Sequence, residues 1–400
     1  MFENNKKEDV NPLILQGHNP MLDGLRAIAI LLVMLVHTTN YHGRDSVEPL
    51  WEKLYLTVVM LGWSGVDLFF VLSGFLITGI LLNKKDEEHY FRNFFARRTL
   101  RIFPLYYLLV ILALFIGPRY PFPMPVVHVF TGYVPVYEKF FYLLYISNIL
   151  ELFSSRNVFW LFHCWSLAIE EQFYLVWPWI VFYSSKKTLT RVCIYLILSA
   201  NIVRCIYAFS DPEHYAWITY HLTYTRWDTL ACGALIAIAA NNPKAAHNLI
   251  RFALPALLLL FSVLFVVAFR TTLSLPPGAL AEQLEMITPA WNQILIYPIL
   301  AFFFSALIIY SLSTNNMLVK KFLSHSIMVW LGKHSYGIYI WHWPIFWFSY
   351  NYLPQPNTIR DNWLIQLGLF PFTFFCAYLS MELFEKHFLK LKKYFEATPK

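Results

Sequence analysis

Charged residues are scarce in this 400-residue chain: Asp, Glu, Lys and Arg together make up only 14%. Cysteine is rarer, with Cys164, Cys193, Cys205, Cys232 and Cys376 scattered singly through apolar stretches. No C-x-x-C pair or zinc-like spacing exists among them, so they indicate no metal centre and say little about redox compartment. The period-2 alternation of barrel strands is missing, which excludes a transmembrane β-barrel. Internal repeats and low-complexity linkers are absent too, and the lack of inverted repeats argues against a secondary transporter. No small-x-small cleavage signal follows the first apolar run before Asn40 and Tyr41, and about twenty largely polar residues precede it. That run is therefore expected to be an uncleaved first span.

What is present is apolar and aromatic. Hydrophobic residues make up 58% of the chain and aromatic ones 19%, in uncharged runs of about twenty residues, the length that crosses a bilayer as a helix. The expected fold is all-α, a polytopic bundle of about ten transmembrane helices with both termini cytoplasmic. The spans fall at about 21–39, 54–82, 102–117, 158–183, 190–208, 226–241, 251–270, 291–312, 327–350 and 363–384. A further stretch, 140–153, is too short to cross comfortably and is either re-entrant or surface-lying. With the amino terminus inside and 140–153 not crossing, the cytoplasmic segments collect most of the 31 Lys and Arg residues. The net charge of +7 is then topological, and a nucleic-acid partner is not expected. The domain layout is a tail over 1–20, a membrane domain over 21–384 and a tail over 385–400, with the location expected to be the inner membrane.

Polar residues inside such runs are costly unless they face a cavity or a partner. In MLDGLRAIAILLVMLVH (Met21 to His37), eleven residues separate Arg26 from His37, roughly three helical turns, so the two share a face with Asp23 nearby. The stripe therefore faces inward. The small-residue run GWSGVDLFFVLSGFLITG carries Asp67, either a structural partner of Arg26 or a group at the site, and Ser73, a weaker candidate. In FFARRTLRIFPLYY, Arg97, Arg98 and Arg101 cluster at the cytoplasmic mouth of the third span. They serve either as topological anchors or as bidentate phosphate ligands. HCWSLAIEEQFYLVWPW puts His163, Ser166 and Glu170 on one helical face, with Glu171 about 100° away and Trp165 beside them. Glu170 either pairs structurally with an arginine or serves the reaction. GKHSYGIYIWHWPIFWF adds Tyr336 and His342, the latter lining the same cavity or bonded to a nearby carbonyl. Arg226 and Asp228 stand at the outer mouth of the sixth span, where acceptor binding is an open reading.

Arginines at the inner doorway and His37 toward the far end call for a long, thin ligand whose anionic end is cytoplasmic. Acyl-coenzyme A has that shape. Taken together, LDGLRAIAILLVMLVH, GVDLFFVLSGFLIT, RRTLRIFPLYY, WSLAIEEQFYLVWP and SYGIYIWHWP resemble, in order, the membrane acyltransferase-3 family of O-acyltransferases. The resemblance implies acyl-coenzyme A, most often acetyl-coenzyme A, as donor substrate, no permanently bound cofactor and no metal. It implies a saccharide hydroxyl, cell-surface or lipid-linked, as acceptor. It also implies an essential histidine at His37 and donor-binding arginines at Arg26, Arg98 and Arg101. Many relatives carry an added SGNH hydrolase-like domain; none is seen in this sequence, so direct acylation of the acceptor is expected. In the expected mechanism His37 acts as base or acyl carrier and Glu170 orients its ring, with Asp23 and Arg26 beside them. Two rival readings remain: a transporter or flippase for a lipid-linked sugar or small solute, and a structural or sensory protein whose buried charges only pair. Thiol release from acetyl-coenzyme A separates all three.

Overall fold

The computed structural model describes residues 11–14, 17–39, 49–116, 136–150, 159–211, 214–274, 290–354, 356 and 358–396. The first ten residues of the expected amino-terminal tail, positions 151–153 of the short apolar stretch, the span edges at 117 and 158, and the last four residues lie outside them. Every regular element among the described residues is helical. Seven helical segments are long and apolar enough to cross a membrane: Pro20–Thr38, Leu50–Asn83, Tyr90–Phe115, Lys186–Ser210, Pro243–Leu273, Ile294–Ser313 and Ile359–Phe395.

In chain order the elements that matter begin with α1 (Pro20–Thr38), α2 (Leu50–Met60), α3 (Gly65–Asn83) and α4 (Tyr90–Ile111). They continue with α5 (Val136–Leu143), α6 (Ser147–Leu150), α7 (Cys164–Tyr183), α8 (Lys186–Ser210), α9 (Tyr215–His221) and α10 (Trp227–Ala240). The rest are α11 (Pro243–Ser274), α12 (Ala290–Ser313), α13 (Met317–Leu323), α14 (Ser326–Tyr352), α15 (Ile359–Ser380) and α16 (Lys386–Lys390). Three expected spans are helices that fall short of the seven for visible reasons. The runs of α7 and α14 are interrupted by Glu170, Glu171 and Gln172 and by Lys333, His334 and His342, while α10 has only 14 residues. The short stretch around 140–153 forms α5 and α6, neither long enough to cross. It is pinned to α4, where the Tyr106 and Tyr107 hydroxyls donate to the carbonyls of Tyr142 and Leu143 at 2.7 and 2.8 Å.

Local chemistry sets the helix starts. Asn19 accepts from the Met21 amide with Pro20 in the first turn of α1, and Thr358 with Asp361 closes a capping box on α15. Glycine then fixes how closely the helices approach. A Cβ on Gly74 of α3 would lie 1.9 Å from the Leu230 carbonyl oxygen, and one on Gly233 of α10 would lie 2.0 Å from that of Val71. Backbone meets backbone at this crossing, as small residues permit inside membranes. Gly74→Ala or Gly233→Ala is therefore expected to cost about 1–3 kcal/mol through overpacking, seen as a lower melting temperature in detergent. The same intimacy joins α1 to α14, where a Cβ on Gly332 would sit 1.9 Å from the Asp23 carbonyl oxygen.

Candidate active site

Two cavities meet inside the bundle. The larger, about 310 Å³, is walled by Arg26 of α1, by Lys84 just beyond α3, by Arg97, Arg98 and Arg101 of α4, and by Lys392. The second, about 100 Å³, is lined by Ser73, Ser166, Glu170, Tyr174, Tyr336 and Tyr339, and again by Arg26, Arg98 and Arg101. These three arginines form the neck between the two spaces. Helix α4 starts at Tyr90, so the arginine cluster lies within the helix rather than ahead of the span expected from 102. Arg98 and Arg101, one turn apart, therefore point the same way.

Most polar groups of the smaller cavity are held by a neighbour. The Glu170 carboxylate accepts from the Ser73 hydroxyl at 2.8 Å and from the Tyr174 hydroxyl at 3.2 Å, and Tyr174 also donates to Ser73 at 3.0 Å. Arg98 stands over the Tyr174 ring, 5.3 Å from its centre. The Tyr336 hydroxyl donates to the Ile102 carbonyl at 2.6 Å. Arg26 is held by Asp23 at 3.0 Å, whose other oxygen meets His18 Nε2 at 2.6 Å. Asp23 is thus a buried brace for a neck arginine, and it lines neither cavity.

His37 lies on the other side of Tyr339 and lines neither cavity. The expected pairing of Glu170 with His37 is not what the structure contains, because Glu170 is engaged by Ser73 and Tyr174. His37 Nδ1 instead meets His342 Nε2 at 3.1 Å, and His342 Nδ1 meets the Tyr339 carbonyl at 2.5 Å. A carbonyl only accepts, so His342 carries its proton on Nδ1 and presents a bare Nε2. That nitrogen takes the Nδ1 proton of His37, and the lone pair of His37 falls on Nε2. Among the described residues no group hydrogen-bonds that Nε2. The Trp343 ring stands edge-on at 4.8 Å, and the His163 ring lies 5.2 Å from His342. Tyr339 closes the wall between cavity and imidazoles, with its hydroxyl bonded to Ser166 at 2.5 Å and to the His163 carbonyl at 2.9 Å.

Three other expectations need correction. Asp67 does not partner Arg26: it forms a fully buried pair with Arg226 of the loop before α10 at 2.8 Å, and Arg226 lies over the Tyr297 ring at 4.4 Å. Asp228 pairs with Arg204 in the same core. Neither Arg226 nor Asp228 is exposed at a mouth, because helix packing spends both charges internally. Trp165 turns away from the cavity to pack on Tyr220 and His221, at 4.6 and 4.9 Å. Conversely, Tyr174 and Tyr339 were not anticipated, although each carries a signal: Tyr174 is one turn beyond Glu170 and Tyr339 one turn before His342. Lys84 and Lys392 carry none.

A family model described as "Acyltransferase domain" matches residues 19–382. Among curated proteins, the chain is 29% identical to the peptidoglycan O-acetyltransferase OatA of Listeria monocytogenes, covering 92% of this chain and 55% of that protein. It is also 29% identical to the "Putative peptidoglycan O-acetyltransferase YrhL" of Bacillus subtilis, covering 82% of this chain and 48% of that one. The chain thus spans about half the length of these relatives. No solved structure matches it. With a family model covering the bundle from the start of α1 to the end of α15, the chain belongs to the acyltransferase-3 family of multi-pass membrane proteins.

Proposed function

We propose that this protein is an inner-membrane O-acetyltransferase with ten crossings and cytoplasmic termini. It takes acetyl groups from cytoplasmic acetyl-coenzyme A and places them on a hydroxyl of a cell-surface glycan, with peptidoglycan the acceptor that the names of its relatives favour. The observation that carries this reading is the paired cavity: a cation-lined vestibule joined through Arg26, Arg98 and Arg101 to a narrower space lined by hydroxyls and one carboxylate. Guanidinium forks bind phosphate oxygens, and the narrow space suits a pantetheine arm. In this reading His37 Nε2 removes the proton of the acceptor hydroxyl as its oxygen attacks the thioester carbonyl. The new O–C bond forms, the C–S bond breaks, and the proton passes to the departing thiolate. His342 is the positioning residue that fixes the His37 tautomer, the task a carboxylate performs in other histidine catalysts. Tyr339 stands between thioester and imidazole, so its side chain must move for transfer.

The test is thiol release from acetyl-coenzyme A in membranes bearing the protein, dependent on added glycan. Flux of a lipid-linked sugar without donor consumption overturns the proposal in favour of a flippase. Arg98→Ala is expected to raise KM for acetyl-coenzyme A by roughly ten- to a hundred-fold, the worth of one charge-assisted hydrogen bond. An unchanged KM would return Arg98 to a topological role.

A further inference from the structure

The carboxy-terminal segment comes back to the vestibule. Past α16 the chain makes a tight turn over Leu391–Phe395 that lies along α4, where Glu396 approaches Arg97 at 3.8 Å. Of the lysines in this segment, Lys386 is taken by Glu382 at 2.6 Å, Lys390 and Lys393 are exposed, and Lys392 alone lines the cavity. Of the six cations that line the vestibule, Lys84 is engaged by Glu87 at 2.6 Å, Arg26 by Asp23 at 3.0 Å and Arg97 by Glu396 at 3.8 Å, which leaves Arg98, Arg101 and Lys392. Among the described residues no carboxylate lies within ion-pair reach of Arg98, Arg101 or Lys392. Cations gathered this closely repel one another unless an anion joins them, and more than one anionic group is needed to balance this set.

Their order along the passage is informative. Arg26, Arg98 and Arg101 border both cavities and so mark the neck, whereas Lys84, Arg97 and Lys392 border only the vestibule and lie farther out. Coenzyme A has the same linear order: pantetheine, then pyrophosphate, then the ribose 3′-phosphate. With pantetheine in the narrow space, the pyrophosphate falls at the neck and the 3′-phosphate at the outer cations. We infer that Lys392 and Arg97 form a 3′-phosphate subsite, so the carboxy-terminal segment is part of the donor site. This rests on acetyl-coenzyme A being the donor.

The experiment compares acetyl-coenzyme A with acetyl-3′-dephospho-coenzyme A in the thiol-release assay. Wild type is expected to show about a ten-fold lower KM for the phosphorylated donor, the size of one half-exposed charge-assisted contact. Lys392→Ala should raise KM for acetyl-coenzyme A by about that factor, leave kcat unchanged and leave KM for the dephospho donor unchanged, while Lys392→Arg keeps the preference. Equal losses on both donors, or none on either, would overturn the inference, since a structural lysine or an anionic-lipid contact cannot sense the 3′-phosphate. A wild-type chain that releases thiol from neither donor overturns the acetyl-coenzyme A reading itself.

Discussion

His37→Ala is expected to lower kcat for acetyl transfer by roughly 10²- to 10⁴-fold, the range for removal of a positioned acid–base group. Protein level, membrane insertion and melting temperature are expected to stay near wild type. The reason lies in the geometry: His37 is only half-buried, bonds one partner, His342, and so truncating it leaves no buried charge behind. His342→Ala is expected to act through His37, lowering kcat while KM for the donor holds, because neither imidazole lines the cationic vestibule. Labelled donor under single-turnover conditions, without acceptor, separates the two chemical routes, since an acyl-histidine accumulates only if His37 carries the group. Wild-type transfer by His37→Ala would remove the centre of the proposed mechanism.

The largest effect on stability is expected at the opposite kind of residue. Asp67→Ala or Arg226→Ala each leaves an unpaired charge in a fully buried pair, a loss of about 3–5 kcal/mol. Both single variants should melt far below wild type or fail to accumulate in membranes. The double variant Asp67→Leu with Arg226→Met should recover most of the loss, because two apolar groups of similar volume leave nothing unpaired. Single variants that melt normally but lose activity would instead put Asp67 in the chemistry.

Periodicity within one helix was legible, and contacts between helices were not. Eleven residues from Arg26 to His37 implied one shared face of α1, and along that face the structure gives Arg26 to the two cavities and His37 to His342. By contrast, Ser73 and Glu170 are 97 positions apart, and nothing in hydropathy says that α3 and α7 adjoin. The same gap misassigned the partner of Asp67: its neighbour is α10, pressed against α3 through Gly74 and Gly233, and so Arg226 rather than Arg26 reaches it. Glu170 was the expected partner of His37 because carboxylates are the usual partners of imidazole, yet the ring that meets His37 is His342, itself held by the Tyr339 carbonyl one turn away. Helix starts were blurred where arginines open a span, since Arg97, Arg98 and Arg101 depress hydropathy inside a continuous α4.

The contact of Gly332 with the Asp23 backbone reaches beyond packing. It locks the longitudinal register of α1 against α14, and those two rods carry the paired imidazoles farther along, His342 lying about 15 Å along the axis from Gly332. A single methyl added at that remote point would act as a wedge under a lever and slide one ring past the other. Its signature would be a turnover defect together with a raised KM for the donor, because the same push shifts Asp23, the brace of Arg26.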